Sequence, residues 1–314
     1  MPDSPAPDLW WHIQERYRRR DGYELDDFFN ANHLFRSIEP GFVDFLTERR
    51  QEVVTLLEDA GQRARMVAAM TEATKLYTWH RNQYVMLPAR SDALLAAIYN
   101  ALVDVSRRVL GEASDRAAIS SSMSRVLEDH HRRLRTFFAA VCAPESPDGP
   151  DPAMLRRVPC EEYTPELQLR LLGIEPASLT EPVLDLGCGS KGALVRHLRD
   201  AGIDAYGADR QAPSESRFIR ADWFDLPFDR MRWGSILAHQ SFSLHFLFHH
   251  QHRGSAAKTF AAMAMRILGA LEAGGRFCYT PSLPFFESPL ETHGAYDLRR
   301  SEEHTSELQS RQSI

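Results

Sequence analysis

Between Leu9 and Cys142, apolar residues recur at every third or fourth position and almost nowhere at every second. The repeat is plain in GFVDFLTERRQEVVTLLEDAG, in SDALLAAIYNALVDVSRRVLG and in ISSSMSRVLEDHHRRLRTFFAAV. That period gathers the apolar side chains on one face of a helix, and it predicts an all-α region of about five or six helices. Gly41, Gly61 and Gly111 fall where helices should begin or end. Ser91 is placed to cap a helix that continues into Asp92 and Ala93, and Pro88 interrupts the pattern after YVML. The segment YTWHRNQYV, Tyr77 to Val85, mixes aromatic and polar side chains and reads as a buried seam between helices.

The stretch from Pro144 to Pro152 is crowded with Pro, Gly, Ser and Asp, a composition that neither helix nor strand tolerates. It predicts a domain boundary near residue 150: a helical domain over 1–142, a linker over 143–158 and a second domain over 159–299. The second domain opens with a short helix, TPELQLRLLGI, with Thr164 as N-cap and Pro165 at the first helical position. From Pro182 onward, short apolar runs alternate with helical stretches, the pattern of a parallel βαβ sheet. The expected fold class is α/β, a Rossmann-like and mostly parallel sheet preceded by an all-α domain.

Composition narrows the functional classes. The chain has 314 residues, 43% hydrophobic and 25% charged, which suits two folded domains and excludes disordered or fibrous architectures. Its net charge of −6 is spread over interspersed signs, so no footprint for nucleic acid is expected. The clusters Arg18 to Arg20 and Arg132 to Arg135 read as solvated helix faces. Cys142, Cys160, Cys188 and Cys278 are far apart without paired spacing, which argues against a disulfide framework or a cysteine zinc site. The N-terminus has no apolar stretch of signal-peptide type, and the most apolar helical stretch, Phe260 to Leu271, is short and broken by Arg266. A soluble cytoplasmic protein with no membrane partner is expected.

The candidate chemistry lies in VLDLGCGSKG, Val183 to Gly192. An apolar strand ends in Asp185, a turn with Gly187, Gly189 and Gly192 follows, and a helix begins with ALVRHLRDAG. Glycine lets a ligand approach the turn backbone closely, and the helix N-terminus presents free N–H groups. A second strand, DAYGAD, ends in Asp209, placed to receive both ribose hydroxyls of a nucleoside cofactor. Three further features separate this chain from the NAD-binding pattern. An acid precedes the first glycine (D-L-G-C-G), a third strand FIRAD ends in Asp222 before Trp223, and LGALEAGGRFCYTP reads as a helix closing in Glu-Ala-Gly-Gly before a strand.

Together these features resemble the class I S-adenosylmethionine-dependent methyltransferase family over about residues 161–284. The resemblance implies S-adenosyl-L-methionine as cofactor and methyl transfer to a small-molecule acceptor. It implies that Asp185, Gly187, Cys188 and Gly189 line the methionine part, that Asp209 holds the ribose, and that Asp222 and Trp223 meet the adenine. The chain departs from the family's commonest pattern at Lys191, where a third close glycine is often found, and RQAPSESR is short for a full helix. The N-terminal helical domain is expected to cover the acceptor or to mediate homodimerisation. Rival readings are a non-catalytic S-adenosylmethionine or S-adenosylhomocysteine binder and an NAD-dependent oxidoreductase.

Methyl transfer requires in-line alignment and, for a protonated acceptor, a base. A fourth strand, WGSILAHQ, ends in His239 at the sheet edge where ligands bind, and His245 follows; both are the candidate catalytic residues. His245 and His249 have the spacing of a helical metal pair, but no HExxH-type carboxylate accompanies them, and no metal is expected.

Residues Arg300 to Ser310, RSEEHTSELQS, resemble the translation of a sequencing adapter, and residues 300–314 are expected to be foreign. The family's sheet continues after its fifth strand with a helix and two strands, the last inserted beside the fifth. Excluding the tail leaves too few residues for these elements, so the sheet is expected to be incomplete, with an exposed edge that favours aggregation.

Overall fold

The computed structural model describes residues 8–19, 22–30, 37–88, 90–142, 151–158, 162–252, 254–294, 296–300 and 306–310. It divides into two compact units, Met1–Cys160 and Glu161–Ile314.

The first unit is helical among its described residues: α1 (Leu9–Arg18), α2 (Leu25–Phe29), α3 (Pro40–Glu48), α4 (Arg50–Glu58), α5 (Ala60–Arg81), α6 (Ser91–Glu112), α7 (Arg116–Cys142) and the single turn α8 (Pro152–Leu155). The run predicted from GFVDFLTERRQEVVTLLEDAG is broken at Arg49, which leaves the helical region (φ −105°, ψ 21°) and bends the chain so that α3 and α4 both face one core. That core gathers Val43, Leu46, Val53, Leu57, Val103 and Ile119. Ser91 is not a cap. It is the first residue of α6, buried, with Arg90 in the N-cap position and its own N–H bonded to the Pro88 carbonyl at 2.7 Å.

The boundary lies later than residue 150. Residues 143–150 of the expected linker, and Cys160, fall outside the described residues. Asp151 to Val158 pack on the helical unit, because the fully buried Asn82 side chain donates to the carbonyls of Ala153 and Arg156, each at 3.0 Å. Val158 then bridges to Asn82 in parallel. The aromatic-polar segment around Tyr77 is the interior seam expected of it: Trp79, Arg81 and Asn82 are all buried.

The second unit is a doubly wound α/β sheet. After α9 (Pro165–Leu172) come β1 (Val183–Leu186), α10 (Ala193–Asp200), β2 (Ala205–Asp209), β3 (Phe218–Arg220), β4 (Trp233–His239), α11 (Phe242–His252), α12 (Gly254–Gly269), β5 (Leu271–Thr280), α13 (Pro284–His293), β6 (Tyr296–Arg300) and β7 (Ser306–Ser310). The strand order is β3-β2-β1-β4-β5-β7-β6. β3, β2, β1, β4 and β5 run parallel, while β7 is antiparallel to both β5 and β6. Every residue of β4 is buried, as a central strand covered on both faces requires. α9 and α10 cover one face through Leu169, Leu172, Leu194 and Leu198, packed with Leu237 and Cys278. The other face is aromatic: Phe242 packs against Phe260 and Phe277 at ring separations of 5.6 and 6.4 Å.

Two expectations change here. The predicted helix closing in Glu-Ala-Gly-Gly stops at Gly269, and those residues begin β5, where Gly274 (φ +75°) accompanies a register shift against β4. The expected exposed edge of β5 is also absent. Ser306–Ser310, in the segment expected to be foreign, form β7 and pair with Arg276–Tyr279 of β5. The sheet thus has seven strands among the described residues, with β7 between β5 and β6. Residues 301–305 and 311–314 fall outside the described residues. No helix of the described residues is long and apolar enough to cross a membrane.

Candidate active site

The chain leaves β1 toward β2 on one side and returns to β4 on the other, so the crevice beyond their carboxyl ends is the topological switch point where open α/β sheets hold ligands. Asp185, the turn Gly187–Gly189, Asp209, Asp222 and His239 all converge on this end of the sheet.

Steric facts explain the glycines. Gly187 turns at φ +95°, and a Cβ there would lie 2.3 Å from the Ser241 Cβ. Ser241 is held in place by its hydroxyl, which donates to the Leu186 carbonyl at 2.5 Å. Gly192, at φ +58°, is the N-cap of α10, and a Cβ would collide with the Phe218 ring at 2.2 Å. Lys191 therefore does not deprive the turn of a glycine. Gly192 supplies the left-handed step one residue later.

Glu162, which sequence reasoning did not single out, reaches into this turn. Its Oε1 accepts the N–H of Ser190 (2.8 Å), the hydroxyl of Ser190 (2.8 Å) and the N–H of Lys191 (3.3 Å), while Oε2 pairs with the Lys191 ammonium at 3.3 Å. Burial pushes this carboxyl up, but the hydrogen bonds from Ser190 and Lys191 outweigh it and hold the group below its usual range. A carboxylate thus already fills the anion-binding turn ahead of α10. Nothing in the sequence marks Glu162, because it lies outside the strand-turn-helix motif and meets it only through folding.

The acids on the adjoining strands are destabilised as anions. Asp185 is 3% exposed, and burial, helped by the Asp209 charge, pushes it up to about 7. Asp209 is likewise raised by burial, although its Oδ1 accepts the N–H of Gln211 at 2.7 Å and its Oδ2 that of Gly189 at 3.4 Å. Asp222 is raised by burial and accepts the Phe224 N–H at 3.1 Å, capping a short 3₁₀ turn. The half-buried Trp223 packs edge-on against Phe242 at 6.0 Å and against His245 at 4.9 Å. Cys188 is buried, and burial raises its thiol, so it lines the turn as a neutral group.

His239 ends β4 and is 8% exposed, its ring edge-on to Tyr163 at 5.3 Å. Its buried Nε2 has no hydrogen-bond partner among the described residues. Burial lowers its pKa to about 4, so the ring is neutral at physiological pH and a weaker base than a free imidazole. The next residue, Gln240, takes a left-handed turn (φ +45°), a strained conformation for a side chain of that length, as the chain swings into α11. His245 is 6% exposed within α11, and burial holds its pKa well below 6.5. Its ring lies edge-on to Trp223, with His249 near enough to add to the lowering of its pKa. No grouping of side chains suited to a metal ion occurs among the described residues.

No family model and no curated protein matches the chain. Solved structures similar to it include the N-methyltransferase NodS from Bradyrhizobium japonicum WM9 in complex with S-adenosyl-L-homocysteine. That likeness is 11% identical over 47% of this chain and 87% of that one, with a TM-score of 0.32. The glycopeptide N-methyltransferase MtfA complexed with S-adenosyl-L-methionine is 13% identical over 48% of this chain and 96% of that one, with a TM-score of 0.29. The plantazolicin methyltransferase BpumL in complex with S-adenosyl-L-homocysteine is 19% identical over 39% and 45%, with a TM-score of 0.25. At such identities and TM-scores, the chemistry of this chain rests on its own residues.

Proposed function

We propose that the second unit binds S-adenosyl-L-methionine at the switch point and transfers its methyl group to a small-molecule acceptor. The observation that carries this reading is the occupation of the glycine turn by Glu162. A dinucleotide would set its pyrophosphate at that helix N-terminus. Here the turn N–H groups of Ser190 and Lys191 are taken by a carboxylate, so a pyrophosphate would have to displace Glu162 next to buried acids that already resist ionisation. A cationic nucleoside meets the opposite situation, and its charge relieves the cost of the buried acids. The fit extends to Asp209, whose oxygens keep lone pairs for ribose hydroxyls.

The bound cofactor supplies a methyl group activated on a sulfonium. In this reading Asp209 orients the ribose, Asp222 and the Trp223 backbone meet the adenine, and Asp185, Gly187, Cys188 and Gly189 line the methionine part. His239, with its unpartnered Nε2, is the candidate to accept the proton of the acceptor, a role that requires the acceptor's binding to lift its low pKa. His245 holds the indole of Trp223 against the adenine side and stays neutral.

Calorimetric titration of the full chain with S-adenosylhomocysteine and with NAD tests the reading. Saturable binding of the first, undisturbed by the second, is expected; binding of NAD alone would overturn it. Turnover of radiolabelled S-adenosylmethionine over a panel of hydroxyl, amine and carbon acceptors separates an enzyme from a binder without transfer activity.

A further inference from the structure

Native cores rarely leave a void larger than a water molecule. The helical unit does leave one among its described residues: a cavity of about 110 Å³ between α1, α3, α4, α5, α6 and α7. Its wall is mostly aliphatic, with Leu46, Leu57, Val103 and Leu110 among the lining, and three methionines, Met66, Met70 and Met123, add side chains that reshape easily. An engineered apolar cavity of about 150 Å³ stays dry and takes up benzene, so this one is sized for a single ring or a short alkyl group.

Tyr17 and Tyr99 stand on the wall, and Thr74 lies outside the lining, hydrogen-bonded to both. The Tyr17 hydroxyl lies 2.9 Å from the Tyr99 hydroxyl and 3.3 Å from Thr74 Oγ1, and it reaches the Met70 carbonyl at 3.4 Å. Thr74 and Tyr99 are also hydrogen-bonded to each other. A hydroxyl carries two lone pairs and one proton, so a cluster of three keeps capacity to accept from a donor. The charged group on the lining, Arg16, is already matched by Glu39 at 3.2 Å and donates to the Ser37 carbonyl at 2.7 Å. Arg16 is thus already neutralised, which leaves His130 as the other basic side chain on a mostly apolar lining.

We propose that this cavity is a binding site for a small uncharged molecule, one aromatic ring bearing a single hydrogen-bond donor, with the ring among the methionines and the donor on the Tyr17–Tyr99 hydroxyls. The site lies wholly within the helical unit and is independent of the cofactor reading.

The test uses the full chain with methyl-labelled methionine, titrated with p-cresol and with toluene as its donor-free counterpart. Saturable shifts of the Met66, Met70 and Met123 methyl resonances are expected, with p-cresol bound several-fold more tightly than toluene. Val103→Phe, which fills the void, should abolish the shifts. Tyr17→Phe should bring p-cresol down to the level of toluene without changing the fold seen by circular dichroism, and it keeps the proposal testable if the larger side chain prevents folding. Absence of saturable shifts with both probes, or a preference for p-cresol that survives Tyr17→Phe, would overturn it.

Discussion

Three buried titratable side chains set the behaviour of the candidate site, and two of them act on stability in opposite directions. Asp185 titrates near 3.8 when unfolded and near 7 when folded, so the folded state holds the extra proton and stability rises as pH falls from about 7 toward 4. His239 titrates near 6.5 unfolded and about 4 folded, so the unfolded state holds the extra proton and stability falls as pH drops through that window. Asp185→Asn is expected to raise the melting temperature at pH 7.5 by a few degrees and to remove the first trend, while weakening S-adenosylhomocysteine binding. His239→Gln should remove the second trend and cut turnover while leaving cofactor affinity near wild type. Thermal melts across pH 4 to 8, paired with cofactor titrations, check both. Asp209→Ala removes an acceptor of charge-assisted hydrogen bonds, each contributing roughly 1.5–3 kcal/mol, so a loss of about 10- to 100-fold in S-adenosylhomocysteine affinity is expected by calorimetry. These positions could be read from the sequence because each acid or histidine ends an apolar run. Their protonation could not, since the desolvation that shifts them comes from distant segments.

At the level of elements, the short helix α9 shows local signals at their most legible. Thr164 caps it, accepting the Leu167 N–H at 3.4 Å, Pro165 opens it and Gly173 closes it at φ +66°. Thr164→Ala is expected to cost about 1 kcal/mol, read from denaturant melts. The residue just upstream was silent in the sequence, yet Glu162 ties the segment before α9 to the glycine turn after β1. Glu162→Ala should free those N–H groups, loosen the turn and weaken S-adenosylhomocysteine binding. Glu162→Gln, whose amide oxygen still accepts, should recover part of the loss. Unchanged affinity in Glu162→Ala would remove Glu162 from the site. The start of β5 departs from the expected helix end for a related reason. Glu-Ala-Gly-Gly has the composition of a helix end, but pairing of Leu271 with Trp233 draws it into the sheet, and helix propensity does not register a cross-strand bond.

For the whole molecule, the C-terminal pair of strands decides whether β5 has a bare edge. Glu287, fully buried in α13, accepts from the Tyr279 hydroxyl at 2.9 Å and the Leu283 N–H at 2.6 Å, and it pairs with Arg300 of β6 at 2.8 Å, which ties α13 and β6 back to β5. A chain ending at residue 300 loses β7, and its β5 edge is expected to lower the melting temperature and promote association in light scattering. Equal melting and dispersity would show that β7 adds nothing. The amino-acid sequence by itself determined the division into a helical and an α/β part, the glycine turn and the acids that end its strands. Those properties are written in periods of two and 3.6 residues and in local steric demands. Only the tertiary structure decided that Asp151 to Val158 belong to the helical unit, that Glu162 fills the turn, that His239 is neutral and that the helical core is hollow. Each depends on which distant side chains remove water from which groups, and no local pattern carries that information.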